Sequence, residues 1–132
     1  MRATLCIRLG AALAGLAVGL GAFAAHGMKA HYDTAALQTF ETGVRYQMYH
    51  ALALLLVGAL AAHGRRTGAA AIAFLLGIAL FSGSLYALVL LDQKWLGAVT
   101  PFGGVAFLFG GLRLAMQGAA PDEGLETRGR PS

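Results

Sequence analysis

Charge is scarce in this chain. Only 12% of its 132 residues are Asp, Glu, Lys or Arg, about half the roughly 25% of an ordinary soluble domain. Asp33, Glu41 and Asp92 sit at the edges of apolar runs and none lies inside one, so an intramembrane carboxylate that binds and releases protons is excluded. Cysteine occurs once, as Cys6, which leaves no intramolecular disulfide to form. The ten basic residues are scattered at the ends of apolar segments without forming a patch, and nucleic acid is excluded as a partner on that ground. Beside Ser82, Ser84 and His50 there is no acid placed to orient an imidazole, so the expectation is that the chain is not an enzyme. His26 and His50, the two imidazoles that could share a metal or haem, have no carboxylate or thiolate near them in sequence. Neither metal nor cofactor is expected.

What the chain has instead is hydrocarbon. Hydrophobic residues make up 58% of it, gathered in runs at Leu9 to Ala25, Tyr46 to Gly64, Thr67 to Leu91 and Trp95 to Leu112. The third run carries no charge at all. A helix crosses a hydrocarbon core of about 30 Å with about 20 residues, and each run has close to that length. In a soluble bundle each helix would show one apolar stripe and one charged face. Here Leu75, Leu76, Ile78, Leu80 and Phe81 point to every side of the third helix, and lipid is the solvent that accepts this. The predicted fold is all-α: a four-helix transmembrane bundle forming one domain over 1–117, with a disordered polar tail at 118–132.

Counting Lys and Arg orients it. Arg2, Arg8, Arg65, Arg66, Arg113, Arg128 and Arg130 fall on one side, against Lys29, Arg45 and Lys94 on the other. Both termini are therefore expected in the cytoplasm, in a bacterial inner (plasma) membrane. Between the first two helices Leu37, Phe40 and Val44 follow helical spacing and Glu41 is four residues before Arg45. This predicts a short amphipathic helix, capped by Asp33 and either separate from the second span or continuous with it. Arg2, Arg8, the first apolar run and Ala22-Phe23-Ala24 also fit a cleavable signal peptide, a reading set against the packing pattern of helix 1.

That pattern consists of small residues. Ala11, Gly15 and Gly19 follow at steps of four. Gly77 and Ser84 are seven apart, and Gly97, Gly104, Gly111 and Gly118 also repeat every seven. Such faces let helices approach closely in lipid. Gly15, Gly19, Gly77, Ser84, Gly104 and Gly111 are the expected packing positions, and the same faces offer a surface for a homo-oligomer.

The polar side chains form a second pattern. Thr39, Gly43, Tyr46 and His50 fall on one stripe of the second helix, with Met48, Leu52 and Leu55 expected to meet lipid. Ser82 and Tyr86 share a face of the third helix, while Ser84 is expected to bond back to a backbone carbonyl. His26 and Thr100 lie at helix ends on the same side, so these groups gather in the outer half of the membrane. They either bond one another and fix helix register, or line a small pocket open to lipid or another amphiphile.

Four ordered motifs carry a resemblance: Gly21-Ala22-Phe23-Ala24-Ala25-His26-Gly27, the stretch Phe40 to Leu55 with Arg45-Tyr46-Gln47-Met48-Tyr49-His50 inside it, Leu80-Phe81-Ser82-Gly83-Ser84-Leu85-Tyr86, and Thr100-Pro101-Phe102-Gly103-Gly104. Over residues 9 to 117 the chain resembles domain-of-unknown-function family 423, the YgdD-like small membrane proteins. The family more often has glycine where this chain has Ala24. The resemblance implies a multi-pass membrane protein with no established activity, and it adds Gln47 to the residues of interest. The ligand-binding candidates are then His26, Thr39, Thr42, Tyr46, Gln47, His50, Ser82, Tyr86 and Thr100. The expected function is structural or lipid-binding, with membrane lipid as partner; the alternative is a small-molecule carrier or channel with His50 as its titratable group.

Overall fold

The structure is a computed structural model that describes residues 1–118; the tail expected to be disordered lies, apart from Gly118, outside the described residues. Its helices are α1 (Ala3–His26), α2 (Thr34–Ala62), α3 (Gly68–Gly77), α4 (Gly83–Leu90) and α5 (Thr100–Gly118). A single π turn, Ile78–Ser82, joins α3 to α4 into one continuous rod. Four rods are long and apolar enough to cross a membrane: Ala3–His26, Thr34–Ala62, Gly68–Leu90 and Lys94–Gln117.

The ends of these rods follow from local chemistry. Asp33 caps α2 by accepting the Ala36 N–H at 2.8 Å, which supplies one of the four donors a helix start leaves without partners. The amphipathic segment continues into the second span without a break, so α2 runs for 29 residues. Glu41 and Arg45 approach to 3.9 Å on its exposed side. At its far end Gly64 adopts φ +80°, and the N–H groups of Gly64 and Arg65 bond to the Ala61 and Leu60 carbonyls. That pairing is a Schellman ending, which needs a left-handed residue where a side chain would clash. Pro101 falls in the first turn of α5, where its missing N–H costs nothing.

The helices pack in chain order, α1 on α2, α2 on the third rod and the third rod on α5. One core cluster, with Cys6, Leu54, Val57, Ala71, Phe74 and Phe107, lies toward the arginine-bearing end. A second, with Ala24, Met28, Phe40 and Val89, lies toward the turn at 27–33.

The packing faces differ from those expected. On α1 the buried residues are Cys6, Gly10, Ala17 and Ala24, while Gly15 and Gly19 are exposed and an added Cβ would meet nothing within 4 Å. On α5 the close approaches belong to Gly103, against the Phe81 backbone, and Gly110, against the Phe74 ring; Gly111 meets nothing and Gly104 only the edge of Phe81. The face is thus rotated by one residue. Gly77 does pack closely, against the Phe107 ring. The reason is shape. Phe107 sits between Gly103 and Gly110 on one face of α5, and that alternation of ring and gap meshes with Phe74, Gly77 and Phe81 of the third rod.

Candidate functional site

Polar side chains in hydrocarbon must find partners or carry a large desolvation cost. The inward stripe of α2 is Phe40, Gly43, Gln47, Ala51, Leu54, Val57 and Gly58, one residue round from the stripe that includes Tyr46 and His50. At its centre Gln47 is only 2% exposed. Its amide Nε2 donates to the Leu13 carbonyl of α1 at 2.8 Å, and its Oε1 accepts from the Tyr86 hydroxyl of α4 at 2.7 Å. One side chain therefore ties three spans together.

A second tie lies one turn away. Ser82, wholly buried, donates from Oγ to the Gly43 carbonyl at 2.6 Å. Tyr86 packs where a side chain on Gly43 would be, since a Cβ there would approach its Cε1 to 2.8 Å. The absence of a side chain at Gly43 is what lets the carbonyl, the hydroxyl and the ring converge. Ser82 closes the π turn, an irregularity that often marks a functional or strained position. Ser84 bonds the Phe81 carbonyl at 2.9 Å and meets Thr100 Oγ1 at 2.6 Å. It is both a self-bonded hydroxyl, as its sequence position suggested, and the link from α4 to α5.

The remaining candidates do not join this network. Thr39 and Thr42 donate to carbonyls four residues back, Ala35 at 3.0 Å and Gln38 at 2.9 Å. His26 is exposed at the end of α1. Tyr46 is 40% exposed, its ring 4.7 Å from that of Phe81. His50 lies nearly flat on Phe107, with centroids 3.5 Å apart and an interplanar angle of 8°, and its Nδ1–H donates to the Tyr46 carbonyl at 2.8 Å. These two belong to an aromatic seam between α2, the third rod and α5. Leu52 is exposed, as expected of a lipid-facing residue, whereas Met48 and Leu55 are half-buried, and Leu55 lies against Gly10.

Among the described residues no group of three or more His, Cys, Asp or Glu side chains converges as a metal site would require. Sequence reasoning from spacing missed Gln47, which entered only through the family resemblance. Its signal was nevertheless present: an amide within a membrane span must be turned inward to find donors and acceptors.

Four apolar rods whose few polar groups pair with one another inside define an integral membrane protein of the helical, multi-pass class. The chain belongs to the family described as protein of unknown function (DUF423), which matches residues 20–104 and so includes Gln47, Ser82, Tyr86 and Thr100. It is 51% identical to the UPF0382 membrane protein YwdK of Bacillus subtilis over 105 residues, covering 77% of this chain and 85% of that one. A UPF0382 membrane protein of Staphylococcus aureus is 45% identical over 83% of this chain and 91% of its own. One of Haemophilus influenzae is 42% identical over 74% and 80% respectively. No solved structure matches.

Proposed function

We propose that this protein is a non-enzymatic structural element of the bacterial inner membrane, with both termini in the cytoplasm, and that its polar cluster, centred on Gln47 halfway along α2, is an internal register lock. The observation that carries this reading is the double bond of Gln47, to the Leu13 carbonyl and from the Tyr86 hydroxyl. Groups satisfied by one another leave no polar demand for a ligand to meet. Interhelical bonds of this kind contribute about 0.6 kcal/mol on average and up to about 1.7, enough to select one packing of otherwise interchangeable apolar faces. Arg2, Arg8, Arg65 and Arg66 at one end support the orientation.

A pocket for a small polar ligand among the candidates is less well supported, because Thr39 and Thr42 bond their own helix. A carrier based on His50 is less well supported too, since that ring is stacked on Phe107 with Nδ1 engaged. The test is native mass spectrometry of the protein in mild detergent, beside a Gln47→Leu variant. The reading expects no polar small molecule whose retention depends on Gln47. A molecule retained by the native chain and lost on substitution would replace the lock with a binding site.

A further inference from the structure

Four arginines stand at the end where α1 and α3 begin, and they border two adjoining cavities. The first, of about 430 Å³, is lined by Arg2, Arg65 and Arg66 with Gly64, Thr67 and Gly68. The second, of about 520 Å³, is lined by Arg2, Thr4, Leu5 and Arg8. Arg2 borders both. The Arg65 guanidinium donates to the Gln117 carbonyl at 2.6 Å and the Gln117 amide donates to the Arg66 carbonyl, so the 64–67 turn is held against the end of α5. Among the described residues the single ion pair is Glu41 with Arg45. Asp33, Glu41 and Asp92 all belong to the opposite end of the rods, which leaves this cationic end without a described carboxylate.

The face of α1 that leads away from Arg8 is equally distinctive. Ala11, Ala12, Gly15 and Gly19 fall within about one third of the helix circumference on the Arg8 side, and all are exposed. Leu5, Leu16 and Phe23 rise along one flank and Ile7 and Val18 along the other, every one of them exposed. The result is a shallow trough. From Arg8 to Gly19 it runs roughly 16 Å, the depth of one leaflet of a core about 30 Å thick.

We propose that this end of the molecule binds one anionic phospholipid, its phosphate among Arg2, Arg8, Arg65 and Arg66 and one acyl chain in the trough over Gly15 and Gly19. The proposal goes beyond the structural reading above and does not depend on the Gln47 lock. Charge selects this occupant over a second copy of the chain. Two copies inserted in the same direction and paired through α1 would set Arg8 against Arg8 and Arg2 against Arg2, whereas a phosphodiester neutralises them. Basic pockets at the ends of transmembrane helices are established as places where anionic headgroups bind.

The experiment is native mass spectrometry of the full chain in mild detergent, titrated with phosphatidylglycerol, phosphatidylethanolamine or soluble glycerol 3-phosphate. The expected result is one phosphatidylglycerol held at least fivefold more tightly than phosphatidylethanolamine, with glycerol 3-phosphate failing to displace it. Arg8→Gln should weaken retention about fivefold, the loss of one headgroup charge contact. Gly15→Leu, at a position with nothing around it to disturb, should displace the lipid while the arginines remain. Equal retention of the two lipids, or retention indifferent to both substitutions, would overturn the proposal. So would displacement by glycerol 3-phosphate, which would make the site a phosphate site only, and so would a dimer abolished by Gly15→Leu, which would make a second copy the occupant. Insensitivity of lipid retention to Gln47→Leu separates this outcome from failure of the register lock.

Discussion

Gln47 shows what one amide does when water is absent. Replacing it with leucine removes the bond from Nε2 to the Leu13 carbonyl and orphans the Tyr86 hydroxyl, whereas Tyr86→Phe removes one bond and leaves the amide its other partner. Gln47→Leu is therefore expected to destabilise by about 1–2 kcal/mol and Tyr86→Phe by about 0.5–1. In the double variant the losses should be less than additive, because the two substitutions share one contact. Unfolding in mixed micelles of increasing sodium dodecyl sulfate would measure all three; additive losses would show that the hydroxyl and the amide do not depend on each other. At this scale the sequence was only partly legible. The spacing of Thr39, Tyr46 and His50 made a helical stripe, but three polar residues lined up are not evidence of burial when threonine can bond its own helix and tyrosine can lie along a lipid-facing seam. Gln47 has no such escape.

The pairing of α5 with the third rod can be tested one residue at a time. A Cβ at Gly103 would run into the Phe81 backbone, while one at Gly104 would lie 4.0 Å from the nearest atom of the Phe81 ring. Gly103→Ala should therefore cost about 2 kcal/mol or more by forcing the helices apart, and Gly104→Ala should stay within about 0.5 kcal/mol of the native chain. Equal effects in the same unfolding assay would contradict the observed face. At the start of α2, Asp33→Ala should cost about 1 kcal/mol through loss of the cap on Ala36, visible as faster amide exchange over residues 34–37. The cap was readable in advance because a carboxylate before a helical run has a local role that no tertiary contact can cancel. The glycine face was not, because Gly103-Gly104 and Gly110-Gly111 repeat the same seven-residue spacing in two neighbouring columns. The bulk of Phe107 chooses between them.

For the molecule as a whole, sidedness is the prediction that matters most. Cys6 is buried and should stay silent to a membrane-impermeant maleimide, so single cysteines can be introduced without removing it. Ala30→Cys in the 27–33 turn and His63→Cys before the 64–67 turn are both at exposed positions. In intact cells with the outer barrier opened, the first should label at once and the second only after the inner membrane is permeabilised. The reverse pattern would invert the orientation proposed from the arginines. The number of spans, their approximate limits, the Asp33 cap and the family were all determined by the sequence itself, since length, apolarity and ordered motifs are properties each segment carries alone. Tertiary structure decided which face of every helix turns inward, where the third rod relaxes into a π turn, and which polar groups meet. Lipid tails are as apolar as the protein interior, so hydropathy cannot tell one side of such a helix from the other; only the fit of Phe107 between its glycines and of Gln47 between its two partners can.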